Sequence, residues 1–80
     1  MVREGETYEH EGIKVVIMEV IPYKRFSGKK ELLVAYKLID GEYESPVAHF
    51  WMGEHEDIRK IIRDIVNYYL KIKPVLRRSV

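Results

Sequence analysis

Cysteine and glutamine are absent from this chain of 80 residues, and asparagine and threonine occur once each. Without cysteine, disulfides and thiolate-based zinc sites are excluded. The length allows one domain, 1–80, whose core is marginal unless something reinforces it. Because disulfides are excluded, we expect reinforcement by oligomerisation.

The polar residues that are present are mostly charged. Lys, Arg, Glu and Asp make up 34% of the chain, and few thermolabile amides with many charges are typical of hyperthermophile proteins. The composition favours a protein of a thermophile, an archaeon in particular, against the alternative of chance in a short chain. No uncharged run is long enough to span a bilayer, and Arg3, Glu4 and Glu6 stand where a signal peptide is apolar. We therefore expect a cytoplasmic protein.

Charge is segregated into four blocks along the chain. Residues 1–22 carry a net charge of −3, residues 23–37 of +4, residues 38–57 of −6 and residues 58–80 of +6, within a total of +1. This pattern predicts a bipolar surface whose local fields matter to partners. The alternative is that opposite blocks neutralise each other in the fold.

Segments rich in β-branched residues predict an antiparallel sheet. Its strands are expected at about 7–11, 13–21, 31–40 and 43–52. Pro22 ends the second of these, and Asp40-Gly41 predicts a tight turn into the last. Pro46 cannot donate a ladder hydrogen bond, so the start of the last strand should lie at an edge or a bulge.

The apolar spacing then changes to a helical period. One stripe contains Ile58, Ile61, Ile62, Ile65, Tyr68, Tyr69 and Ile72. It predicts an amphipathic helix over about 54–72, with acids in its first turn at 54–57 and basic residues in its last. Pro74 is expected to stop this helix, and a basic tail, 74–80, follows.

Both faces of the expected sheet are apolar, and one helix covers only one of them. One candidate face contains Val16, Met18, Val20, Leu32, Val34, Tyr36 and Leu38; the other contains Ile13, Val15, Ile17, Ile21, Leu33, Ala35 and Ile39. Glu19 and Lys37 interrupt the second face. The surplus face must meet a second subunit, a partner or a ligand. We expect a homodimer in which Glu19 and Lys37 pair across or beside the interface.

Positive charge and aromatic side chains concentrate in one segment between two apolar strands. It contains Tyr23, Lys24, Arg25, Phe26, Lys29 and Lys30 and no acid. Lys and Arg attract phosphate, and aromatic rings stack on bases. The segment predicts a hairpin loop, turned by Gly28, that binds single-stranded nucleic acid through these six residues. The alternative is a solubilising loop whose aromatic rings fold back onto the sheet.

Phe50 and Trp51 are neighbours on an expected strand, so they point to opposite faces and only one belongs to the core. The other is a second candidate for base stacking, although an aromatic residue on a small sheet is more often core or dimer interface.

Catalytic and metal-binding patterns are weak. No serine lies in a strand-turn-helix elbow, the glycines form no phosphate loop, and the spacing of His49 and His55 matches no established zinc pattern. We therefore expect no enzyme, no cofactor and no metal.

The expected fold class is α+β, with a two-layer, three- to four-stranded antiparallel sheet followed by one C-terminal amphipathic helix, as a dimer. Over residues 8–73 this order of elements resembles the small single-stranded-DNA-binding transcriptional coactivators, whose domain is a curved four-stranded sheet followed by a helix and which dimerise. The resemblance is one of outline and implies single-strand binding by a dimer.

Two functions remain open from the sequence. The first is a small non-enzymatic protein that binds single-stranded DNA or RNA through the hairpin. The alternative is a protein–protein interaction module, or a small subunit of a larger complex, that docks through an apolar sheet face. The acidic block 38–57 favours the alternative, because clustered acids repel phosphate, but its position relative to the hairpin does not follow from the sequence.

Overall fold

Five strands precede one helix in the structure, a computed structural model that describes the backbone of residues 2–78 and the side chains of residues 2–75. The elements are β1 (Thr7–His10), β2 (Ile13–Lys24), β3 (Lys30–Asp40), β4 (Tyr43–Glu44), β5 (Ala48–Gly53) and α1 (Ile58–Arg78). They form one antiparallel sheet in the order β1-β2-β3, with β4 and β5 both on the far edge of β3. The expected α+β architecture with the helix last is confirmed. Ser79 and Val80, the end of the expected basic tail, lie outside the described residues.

The last expected strand is divided in two at Pro46. β4 pairs with the end of β3 and β5 pairs with its first half, so Pro46 lies between them at a sheet edge where no ladder hydrogen bond is needed. Ser45 closes the gap: its N–H donates to the Leu38 carbonyl at 2.9 Å, and its Oγ accepts from the Leu38 N–H at 2.7 Å. The expected edge or bulge at Pro46 is confirmed.

A β-bulge at Met18 decides which residues of β2 face the helix. Ile17 lies opposite Tyr36, whereas Glu19 lies opposite Ala35, so Met18 is an extra residue in the ladder. Successive side chains of a strand point to opposite faces. The extra residue therefore reverses which alternate side chains face the helix: odd-numbered residues do so before Met18, and even-numbered residues do so after it.

The two apolar faces expected from the sequence are consequently wrong in composition. The helix-facing side combines Ile13, Val15, Ile17 and Val20 of β2 with Leu32, Val34, Tyr36 and Leu38 of β3. The opposite side, called the open face below, carries Lys14, Val16, Glu19, Ile21, Tyr23, Glu31, Leu33, Ala35, Lys37, Ile39, His49 and Trp51. Charged and polar residues interrupt the open face, and its apolar row is formed by Ile21, Leu33 and Trp51, which lie side by side across three strands. The open face is therefore less apolar than expected.

The helix packs across the helix-facing side with the stripe that its spacing predicts. Ile62 and Tyr69 are buried, and Val66, which the expected stripe left out, is fully buried. Tyr68, expected on the stripe, is instead 65% exposed. The buried residues of α1 join those of β2, β3 and β5 in one core.

Both ends of α1 differ from the expectation. The helix begins after Asp57, whose Oδ1 accepts a hydrogen bond from the Arg59 N–H at 3.0 Å as an N-cap, so the acids at 54–56 precede the helix. Pro74 does not stop it, because the backbone stays helical to Arg78. The fixed φ of proline is compatible with a helix, and the cost is one missing N–H hydrogen bond and local crowding.

The second half of the helix is tied to the turn between β3 and β4. The Tyr69 hydroxyl donates to Asp40 Oδ2 at 2.9 Å, and Lys73 Nζ lies 2.8 Å from the same oxygen. Asp40 lies opposite Tyr43, and Gly41 between them has a φ of 61°. The expected tight turn at Asp40-Gly41 is confirmed. Within residues 2–78, α1 lacks the apolar stretch that a membrane-crossing helix needs.

Candidate nucleic-acid interface

The basic-aromatic segment forms the hairpin that joins β2 and β3. The Gly28 N–H donates to the Arg25 carbonyl at 2.8 Å, and the Arg25 N–H donates to the Lys29 carbonyl at 2.9 Å. Gly28 has a φ of 86°, the left-handed conformation that closes a three-residue hairpin loop with a bulge. The expected turn at Gly28 is confirmed, and every residue of 22–30 is exposed.

β2 continues through Pro22 to Lys24, although Pro22 was expected to end it. Pro22 lies opposite Leu32, at a position where the ladder alternation directs its nitrogen away from β3. β1 pairs only with residues 13–16, so this stretch of β2 has a free outer edge. The missing N–H therefore removes no ladder hydrogen bond.

Arg25 is engaged within the protein. Its Nε donates to Glu31 Oε1 at 2.7 Å and its Nη2 to Glu31 Oε2 at 3.2 Å, and the guanidinium carbon lies 5.3 Å from the centroid of the Trp51 ring. The hydrogen bond from Arg25 lowers the pKa of Glu31, and the same bond raises the pKa of Arg25. The Glu31 carboxylate thus balances the positive charge of Arg25. Arg25 is therefore a weaker phosphate contact than the sequence suggested.

Two aromatic rings lie beside Arg25 on the open face. Tyr23 and Trp51 meet edge to face, with ring centroids 5.2 Å apart, and they are 47% and 48% exposed. Phe50 faces the opposite side, where its ring lies 5.4 Å from that of Tyr36. The expected division between Phe50 and Trp51 is confirmed, and Trp51 adds a ring beyond the six residues of the hairpin.

The tip of the hairpin presents Phe26 and three lysines. The side chain of Phe26 is entirely in solvent. Lys24, Lys29 and Lys30 form no ion pair with any residue that the structure describes. Lys24 also lies directly opposite Lys30, an arrangement of like charges that costs stability. Apart from Lys29, whose charge helps to lower the pKa of Glu31, these side chains therefore contribute nothing evident to the fold.

The acidic block is divided between two places. Its first part, 40–44, lies at the far end of β3, roughly 33 Å from the hairpin at about 3.3 Å per residue. Its second part, 54–57, lies near the hairpin on the helix side of the sheet, where Glu54 lines shallow grooves with Lys30. The alternation of side chains places Lys24 and Lys30 on this same side, away from Tyr23, so the acids at 54–57 weaken the positive field of these two lysines.

The histidines are separated in the fold. His49 lies on the open face and His55 in the loop that follows β5. Among the described residues, no three His, Asp or Glu side chains lie close enough together to hold a metal ion.

No protein family model, curated protein or solved structure matches this chain. The resemblance to the single-stranded-DNA-binding coactivators therefore rests on the order of elements alone. Any functional argument must come from the residues of the site.

Proposed function

We propose that this is a small non-enzymatic nucleic-acid-binding protein of a thermophile, an archaeon in particular, which binds single-stranded DNA or RNA around the hairpin end of its sheet. One observation carries the proposal: three exposed rings, those of Tyr23, Phe26 and Trp51, and three lysines that form no ion pair with described residues are gathered at the hairpin end of the sheet. Cations bind the phosphates and rings stack on the bases.

The exposed rings favour a single strand over a duplex. Stacking on a side chain requires bases that are not already stacked in a helix. Tyr23 and Trp51 lie on the open face while Phe26 lies at the tip, so neighbouring bases can splay around the end of the sheet. With three rings and three lysines the site is short, and we expect weak, salt-dependent binding.

Phe26→Ala should lower the affinity for a labelled single-stranded oligonucleotide by roughly 1–3 kcal/mol. The slope of log affinity against log salt should not change, because stacking releases no counterion. Fluorescence anisotropy at several salt concentrations measures both quantities. The side chain of Phe26 is fully exposed, so the variant is expected to fold.

Tyr68→Ala is the matched control for this variant. Tyr68 is an aromatic residue of α1 that is 65% exposed, and its removal should leave the affinity unchanged. Equal effects of the two substitutions would show that Phe26 does not stack on a base. If the wild-type protein binds no oligonucleotide at about 50 mM salt, where phosphate contacts are strong, the proposed function is wrong.

A second candidate function is protein docking through the apolar row, with another copy of the chain as the expected partner. Ile21 and Leu33 of this row are only half-buried, and α1 lies on the other side of the sheet. Lys37, which was expected to pair with Glu19 at such an interface, forms an ion pair with Glu44 of its own chain.

Sedimentation equilibrium at micromolar concentration tests this candidate. A homodimer has twice the 9.6 kDa mass of the chain, and Leu33→Asp should dissociate it because an unpaired charge is costly to bury. Lys37→Ala lies outside the row and should leave the dimer intact. A wild-type protein that sediments only as a monomer would contradict dimerisation.

A further inference from the structure

A second surface with more basic than acidic side chains lies between β1 and the start of α1. A groove of about 570 Å³ there is lined by all four residues of β1 and by Arg59, Lys60 and Arg63 of the helix. Two acids, Glu9 on β1 and Asp57 at the helix end, also line the groove, and Asp57 Oδ1 accepts a hydrogen bond from the Arg59 N–H. Arg59 and Lys60 form no ion pair with described residues, and Arg63 lies 3.9 Å from an exposed carboxylate, that of Asp64.

β1 presents a free backbone edge to this groove. The turn after His10 has two residues with positive φ, Glu11 at 50° and Gly12 at 79°, the geometry of a two-residue hairpin. His10 and Ile13 close that hairpin, and the ladder then alternates. The N–H and C=O groups of Thr7 and Glu9 therefore point away from β2, and no described group bonds to them.

An unpaired edge strand is a template for another strand. Thr7 and Glu9 line the groove although their side chains belong to the open face, so the groove reaches the backbone edge itself. A strand added at this edge would direct every second side chain toward the basic residues of α1.

We propose that an extended acidic segment of a partner protein adds to β1 as a new edge strand. Its backbone pairs with Thr7 and Glu9, and its Asp or Glu side chains, at alternate positions, contact Arg59 and Arg63. This occupant fits because its backbone pairs with the free edge of β1 while its acidic side chains contact the basic residues of α1.

Two other occupants fit less well. A second copy of the chain paired through β1 would bring the two sets of Arg59, Lys60 and Arg63 together, and like charges repel. A nucleic-acid strand offers phosphate acceptors to the N–H groups of Thr7 and Glu9, but its phosphates offer no donor to their carbonyls. The groove is separate from the hairpin, so this proposal does not depend on nucleic-acid binding.

The test uses a synthetic octapeptide of alternating Glu and Val, blocked at both ends and carrying a fluorescent label. The full chain should bind this peptide, and the same peptide with Lys in place of Glu should bind at least tenfold more weakly. On binding, amide hydrogen exchange measured by NMR should slow at Thr7 and Glu9. Unchanged exchange at both amides would overturn the proposal.

Two variants separate the backbone contribution from the charge contribution. Glu9→Pro removes an outward N–H and blocks the added strand without breaking a bond to β2, and Arg59→Glu with Arg63→Glu reverses the charge. Each should weaken binding of the Glu-Val peptide at least tenfold. The matched control, Lys24→Glu with Lys29→Glu at the hairpin, should change it less than twofold.

The outcomes that contradict the proposal are distinct. Wild-type affinity in Glu9→Pro would show that no strand is added at β1. If that variant does not fold, hydrogen exchange in the wild type and the charge reversal decide the matter. If a single-stranded oligonucleotide displaces the peptide and itself slows exchange at Thr7 and Glu9, the groove is a nucleic-acid site and the peptide proposal is wrong.

Discussion

Ile17→Asp should unfold the protein, whereas Leu33→Asp should leave the chain folded. Ile17 is 1% exposed in the core, and Leu33 is half-buried on the open face. An aspartate at position 17 loses apolar burial and places a carboxylate where no partner lies, at a cost of roughly 4–5 kcal/mol or more. Domains are stable by only about 5–15 kcal/mol, and small ones lie at the low end.

Far-UV circular dichroism and urea unfolding measure this difference. Ile17→Val is the control for position 17 and should cost about 0.5–1.5 kcal/mol, since one methylene group is lost. The sequence placed Ile17 and Leu33 on one face, and the bulge at Met18 places them on opposite faces. Equal stability of the two aspartate variants would mean that this division is wrong.

Replacing Lys24, Lys29 and Lys30 together by Ala should flatten the salt dependence of single-strand binding by about 2 units of log affinity per log salt. This is the loss of three phosphate contacts at about 0.7 each. The affinity for every sequence should fall alike, because phosphate contacts carry no base specificity. Lysines without an ion pair are free to make these contacts, so this is the largest effect expected on binding.

The control is a triple variant with the same change in net charge, Lys14→Ala, Lys60→Ala and Lys71→Ala, whose lysines are exposed elsewhere on the surface. Its slope should stay within a few tenths of the wild-type value if the hairpin is the site. Anisotropy titrations between about 50 and 200 mM salt measure both slopes. Equal slopes in the two triple variants would show that only net charge matters.

Arg25→Ala should change the slope by less than one full contact. The guanidinium already forms two hydrogen bonds with Glu31, and binding of phosphate must compete with that carboxylate. The sequence counted Arg25 equally with the three lysines, because a pair formed across two strands is not visible in a linear order. The structure therefore reduces the expected number of strong phosphate contacts from four to three.

The elements of this fold, and the position of the hairpin, follow from local signals in the sequence. Runs of β-branched residues, Gly28 at the turn, the Asp40-Gly41 turn and helical apolar spacing each depend on neighbours a few residues apart. Steric preferences and side-chain periodicity act over that range. The strands, the helix and the exposure of the hairpin were therefore predictable.

Whether a proline ends a strand or a helix was not predictable from such local signals. Proline is disruptive only where its missing N–H is needed or its ring meets a carbonyl. At Pro22 the edge of β2 has no neighbouring strand, and at Pro74 the helix continues despite the lost hydrogen bond. Whether an N–H is needed depends on the surrounding strands, which the order of residues does not contain.

The composition of each sheet face and the full membership of the candidate site were decided by tertiary structure alone. Alternation of side chains is local, but the register between strands is a long-range property, and the single extra residue Met18 inverts it. Trp51 lies near the hairpin because β3 pairs with both β2 and β5, so that Leu33 lies between Ile21 and Trp51. Residues far apart in the chain thus form one surface, since backbone pairing across strands fixes which side chains become neighbours.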